Sequence, residues 1–138
     1  MPLRKSADIY TASTLDIDVE VKPFYLHKES APEASIYVWG YNVVIRNRRA
    51  DTIHLKSRYW RITDGLGQIQ EVHGEGVVGK QPYIPPGQVF EYTSGTPLPT
   101  PSGIMNGYYI VHDEGGDIFN INTPVFSLDS PYQSKTLN

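Results

Sequence analysis

The segment Leu15-Asp16-Ile17-Asp18-Val19-Glu20-Val21-Lys22 alternates apolar and charged residues without a fault. A period of two belongs to a strand with one buried face and one wet face. The pattern predicts a strand from Leu15 that runs on through Phe24-Tyr25-Leu26, with Pro23 at an edge or a bulge because proline cannot donate to a sheet ladder. His27 to Ser35 is polar and reads as a loop. A second strand is predicted over Ile36–Asn47. There Tyr37, Trp39, Tyr41, Val43 and Ile45 share one face, the heaviest apolar set in the chain and the expected core, and Gly40 marks a close backbone approach. Thr52–Lys56 and Arg58–Thr63 read as the next strands. Asp64-Gly65-Leu66-Gly67 is a hairpin signal that returns the chain through Gln68–Val72. Val89–Thr93, Ile104–His112 and Asp117–Leu128 complete the set, with Pro124 towards an edge. Thr96 to Pro101 carries three prolines and reads as a connection leaving the sheet. Seven to eight short strands punctuated by turns every ~8–12 residues are the signature of an all-β, antiparallel β-sandwich. No segment holds a helical period over three turns. One domain is expected over 15–128, with a leader at 1–14 and a tail at 129–138.

Composition agrees with that class. Ten Tyr, two Trp and four Phe accompany 12 Gly and 11 Pro in 138 residues. Aromatic residues favour half-buried strands, and Gly and Pro punctuate short elements. The absence of cysteine removes disulfides, thiolate metal sites and cysteine nucleophiles. Twelve Lys and Arg against 15 Asp and Glu give a net charge of −3, which argues against a nucleic-acid-binding surface. No apolar run reaches the ~18 residues of a membrane span, and Met1–Thr14 has no apolar stretch of a secretory signal. A cytoplasmic location is expected.

One segment looks like chemistry. Gly74-Glu75-Gly76-Val77-Val78-Gly79 matches G-x-G-x-x-G. In a dinucleotide-binding unit this pattern opens a helix whose N-terminus receives the pyrophosphate. Pro82, Pro85 and Pro86 follow too closely for a helix to extend, and no βαβ unit surrounds the motif. Two readings remain: a glycine-permitted loop or bulge, or an anion-binding loop in which Gly74, Gly76, Gly79 and Lys80 hold a phosphate or nucleotide through backbone N–H groups and one ammonium.

Other sites are less specific. His27, His54, His73 and His112 are scattered without metal-ligand spacing. Asp113, Glu114 and Asp117 could offer oxygens to Mg²⁺ or Ca²⁺, or form a solvated turn. No nucleophile elbow is present, and no base is placed beside Ser94. Arg46, Arg48, Arg49, Lys56, Arg58 and Arg61 surround Tyr59 and Trp60. They could contact phosphates, or lie on the wet face with their stems covering apolar surface.

The stretches Arg58–Gly65, Glu71–Pro82, Tyr92–Gly95 and Pro124–Phe126, in that order, resemble the ApaG family from about Leu15 to Leu128. The resemblance implies an immunoglobulin- or fibronectin type III-like sandwich with no established enzymatic activity and no cofactor. It implies an indirect association with cobalt resistance and magnesium efflux. It also suggests a protein partner, since similar domains occur in an F-box adaptor and in a DNA-polymerase-delta-interacting protein. Tyr83 and Phe90, near the glycine segment, are the expected exposed anchors for such a partner.

Overall fold

The computed structural model describes residues 8–132, and these form two antiparallel sheets packed face to face. The first sheet runs β1 (Tyr10–Thr14), β2 (Ile17–Tyr25), β3 (Tyr37–Asn47), then β7 (Val89–Leu98). The second is centred on β4 (Ile53–Asp64) and β8 (Ser102–His112). On the far side of β4 lie β5 (Ile69–Glu75) and the short β6 (Tyr83–Ile84). On the far side of β8 lie β9 (Ile118–Asn122) and β10 (Phe126–Asp129).

The alternation in the sequence becomes the two sides of each sheet. Tyr37, Trp39, Tyr41, Val43 and Ile45 are all buried, as expected, and so are Ile17, Val19 and Val21 beside them. They meet Ile53, Leu55, Trp60, Ile62, Met105, Tyr109 and Val111 from the second sheet. Trp60 is the hub, with ring centroids 5.4 Å from Tyr41, 5.9 Å from Phe126 and 6.2 Å from Tyr109 in edge-on geometry, the arrangement that aromatic quadrupoles favour. The hydroxyls of Tyr92 and Tyr109 hydrogen-bond to each other across the two sheets. Burial pushes both ionisations up, so each stays a neutral hydrogen-bonding group. Gly40 is approached by a side chain rather than by the backbone expected there: a Cβ would lie 2.4 Å from the Phe24 ring that covers it.

Ten strands replace the seven or eight expected. Tyr10–Thr14, expected in the leader, pairs with Ile17–Val21 through a two-residue turn. Leu15 and Asp16 take left-handed φ of 48° and 66° in that turn. The usual Asn-Gly or Asp-Gly signal is missing, so the turn was invisible in the sequence. At the other end Ser130 is buried and Tyr132 packs on the core, so the sandwich continues past Leu128. Residues 1–7 and 133–138 of the expected leader and tail lie outside the described residues. The two strands expected over 52–63 are one, bulged between Leu55 and Ser57 where it faces β8. Thr96–Leu98 belongs to β7 rather than leaving the sheet.

Hydrogen-bond parity explains why prolines sit inside strands. Leu26 N donates to Val38 O, and Asn47 N donates to Gln88 O. Bonded positions on β2 facing β3 are therefore even-numbered, and so are those on β7. Pro97 turns its missing N–H to the open edge of β7, and Pro23 turns its own to the side where β1 has ended. Thr14 Oγ1 accepts from Asn122 N at 3.2 Å and joins β1 to β9, which ties the sheets on that flank. The opposite flank presents two terminal strands, β7 and β5.

Candidate functional site

The glycine segment is a strand end followed by a tight hairpin, not one loop. Gly74 and Glu75 belong to β5. Val77 and Lys80 then exchange both backbone hydrogen bonds, at 2.7 and 2.9 Å, around Val78 and Gly79, whose φ values are 43° and 80°. Gly76 N donates to Lys56 O at 2.7 Å. The amides of Gly76, Val77 and Lys80 are thus committed to carbonyls and do not converge on an anion. Gly74 and Gly76 have packing reasons, and Gly79 a conformational one. A Cβ on Gly74 would lie 2.6 Å from the Arg58 guanidinium, and one on Gly76 would lie 2.2 Å from Lys80 O. Gly79 supplies the left-handed turn. The Arg58 guanidinium lies over Gly74 and donates to Gly76 O at 2.8 Å. The hairpin drives Val77 into the core.

The acidic turn is likewise engaged. Asp113 Oδ1 accepts from Asp117 N at 2.9 Å and its Oδ2 accepts from Arg49 at 3.1 Å. Glu114 Oε2 accepts from Thr52 N at 2.7 Å. Asp64 caps the β4–β5 hairpin in the same way, accepting from Leu66 N and Gln68 N. Among the described residues no group of three His, Cys, Asp or Glu could hold a metal ion.

Register brings together what the sequence scatters. On β4, Tyr59 faces His73 of β5 and Tyr108 of β8, and His54 faces Tyr83 of β6 and His112 of β8. These positions alternate with the buried Leu55, Trp60, Tyr109 and Val111, so all six look outward from the second sheet. Three of the chain's four histidines and three of its tyrosines therefore share one outer face. Tyr83 stacks on His54 at 3.8 Å with rings 12° from parallel. The Tyr59 ring lies 4.9 Å from both His73 and Tyr108. Its hydroxyl donates to Glu71 Oε2 at 2.6 Å, and this bond to the carboxylate holds the Tyr59 ionisation above the usual tyrosine value.

A groove of about 290 Å³ is cut into this face. Its floor crosses the paired Arg58 and Gly74. The aromatic row of Tyr59, His73 and Tyr108 walls one side, and Ser57, Glu75 and Ile110 wall the other. Ile104 and Ile118 extend the face at 48% and 64% exposure. Of the two anchors expected for a partner, Tyr83 belongs here at 67% exposure. Phe90 does not: it is half-buried on the inner side of β7 and packs 6.0 Å from Tyr92, because it shares the parity of the core positions. Tyr108, Ile110 and His112 were missed. The available signal was that Ile104, Tyr108 and Ile110 alternate with the apolar Met105, Tyr109 and Val111, so that both faces of the segment carry large side chains, interrupted at Asn106.

The first sheet's outer face differs. Asp18 accepts from Ser13 and pairs with Arg48 at 2.9 Å. The Arg48 hydrogen bond chiefly holds its carboxyl below the usual value. A wider depression of about 900 Å³ lies at the rim of β2. Its lining mixes outward residues such as Lys22 and Asn42 with inward Tyr25 and Trp39, so it wraps a sheet edge.

Three of the six cations in the basic stretch are engaged within the chain. Arg48 and Arg49 bind Asp18, Asp51 and Asp113, and Arg58 binds loop carbonyls. Among the described residues no helix is long and apolar enough to cross a membrane.

Known proteins carry the same frame. The ApaG domain model matches residues 27–113. Proteins named ApaG from Paramagnetospirillum magneticum and Rhizobium meliloti are 54% and 51% identical over 130 residues, 94% of this chain and 100% of each relative. A crystal structure of an ApaA-designated protein from Bordetella pertussis superposes with a TM-score of 0.82 at 46% identity, covering 84% of this chain and 94% of that one. With matches spanning nearly its whole length in sequence and most of it in structure, the chain belongs to the ApaG family.

Proposed function

We propose that this chain is a non-enzymatic protein-recognition module of the cytoplasm, which engages its partner through the outer face of the second sheet. One observation carries the reading: the cluster of Tyr59, His73, Tyr108 and Ile110 around a groove on the outer face, with the stacked His54–Tyr83 pair and the exposed Ile104 and Ile118 on the same face. Tyrosine contributes a large amphipathic contact at low entropic cost and is over-represented among binding hot spots. A face buried on only one side has no folding need for such residues on its wet side, since alternation with polar residues suffices. The glycine hairpin and the acidic turn serve the fold on this reading, because the Gly76, Val77 and Lys80 amides and the Asp113 and Glu114 carboxylates already have partners within the chain.

Recovery of partners from native lysate, quantified by mass spectrometry, tests the proposal. Tyr108→Ala should cut recovery of the specific partner at least tenfold, the scale of a hot-spot truncation of more than ~1.4 kcal/mol. Glu91→Ala on the first sheet should leave it within twofold. Equal recovery with Tyr108→Ala, or loss with Glu91→Ala alone, would overturn the assignment of the face.

A further inference from the structure

We infer that β5 accepts an extended, basic segment of the partner protein as an added strand, an inference that rests on the recognition face proposed above. β5 ends the second sheet, and no described strand pairs with its outer edge. Asp64 N donates to Gln68 O at one end of the β4–β5 ladder, and Gly76 N donates to Lys56 O at the other. Even-numbered residues of β5 therefore bond to β4, and the N–H groups of Ile69, Glu71, His73 and Glu75 point away from the sheet. The edge is engaged only at its end, where Glu75 O accepts from Arg58 Nη1 at 3.4 Å; the unpaired N–H row before it is a template for another strand.

The chemistry of the row selects the occupant. Glu71, His73 and Glu75 pair with the outward positions Arg61, Tyr59 and Ser57, so their side chains stand on the recognition face. Glu71 and Glu75 sit four residues apart on one side of the strand, flanking the groove's aromatic wall. Glu75 has no ion pair among the described residues. An added strand places every second side chain beside this column, where a lysine or arginine meets a carboxylate and a carboxylate meets its like. A cation reaching past Glu75 also enters the groove against the Tyr59 and Tyr108 rings. The other terminal strand is less suited. Its outward positions are Val89, Glu91, Thr93, Gly95 and Pro97, with one carboxylate and a proline that cannot donate.

A bead-displayed library of random octapeptides, screened against the whole chain, tests the inference. Enriched peptides should carry lysine or arginine at alternate positions. Synthesised singly, they should shift the amide resonances of Glu71, His73 and Glu75. N-methylation of the peptide's alternate amides on the pairing edge should abolish binding, and Glu71→Gln with Glu75→Gln should weaken it roughly three- to tenfold. No enrichment, enrichment without alternating cations, or indifference to N-methylation would overturn strand addition. A peptide that moves Tyr108 and Ile110 while β5 amides stay fixed removes strand addition but leaves the recognition face standing. The face itself falls only if Tyr108→Ala also leaves lysate recovery unchanged.

Discussion

The two outer faces of the sandwich are built on equally regular strands, yet they treat their polar groups in opposite ways. On the first sheet, charges answer one another locally: Asp18 is held by Arg48 and Ser13, and Arg48 also lies 3.7 Å from Asp16. Phe24, the large aromatic on that face, folds down over Gly40. On the second sheet, aromatic and imidazole rings cluster, and the row of Tyr59, His73 and Tyr108 walls one side of a groove. The first face is finished by contacts within the chain. Among the described residues the second presents ring faces, exposed isoleucines and the open edge of β5, whereas the first sheet's own open edge, β7, is interrupted by Pro97. Folding accounts for the first; the second carries the kind of surface apolar cluster that interaction sites expose, which is why recognition is proposed there.

That contrast can be broken most severely through the core the faces share. Trp60→Ala removes the ring between Tyr41, Tyr109 and Phe126 and should cost about 3–5 kcal/mol. Urea unfolding would register the loss, and both faces should become disordered together. The glycine hairpin comes next. Gly76→Ala meets Lys80 O at 2.2 Å from a left-handed φ, so it should destabilise by ~2 kcal/mol or more. Gly79→Ala, strained in φ but uncrowded, should cost about 1 kcal/mol. The reverse order of midpoints would refute the packing role assigned to Gly76.

Matched charges sharpen the comparison between faces. Ile104→Lys and Thr93→Lys occupy exposed outward sites on the second and first sheets. Both should change stability by less than about 0.5 kcal/mol, but only Ile104→Lys should weaken partner capture, by tenfold or more. The smallest effect concerns the first face. The folded-state carboxyl of Asp18 is lowered, so its stabilisation is present above the ordinary carboxylate value and is lost as pH falls through the folded one. Asp18→Asn should lower Tm by about 1–3 °C at pH 7. The difference from wild type should shrink as pH falls below the ordinary carboxylate value and vanish below the folded-state one. A constant difference across that window would show that Asp18 acts through packing rather than charge.

Much of this was legible in the sequence because alternation maps directly onto sheet faces. The inward set of β3, the Asp64 hairpin and the failure of a helix after Gly76 all followed from local pattern. The Leu15-Asp16 turn did not, since its left-handed residues are neither glycine nor asparagine. Nor did the continuation of β7 through Pro97, which depends on ladder parity that only pairing defines. The recognition face was hidden for a related reason. His54, His73 and His112 are at least 19 residues apart in the chain, and cross-strand register alone places them on one surface, His54 beside His112 and His73 beside Tyr59. Phe90 was misplaced because exposure was inferred from proximity to the glycine segment rather than from parity.

The most direct test of recognition through the second sheet is site-specific photocrosslinking of the whole chain in native lysate. A benzophenone side chain would be placed in turn at Tyr83, Ile104 and Ile118 on the second sheet, and at Val89 and Thr93 on the first. The expected result is a discrete adduct of one mass from the second-sheet positions and none from the first. Adducts from Val89 and Thr93 with none from Tyr83, Ile104 and Ile118 would contradict it.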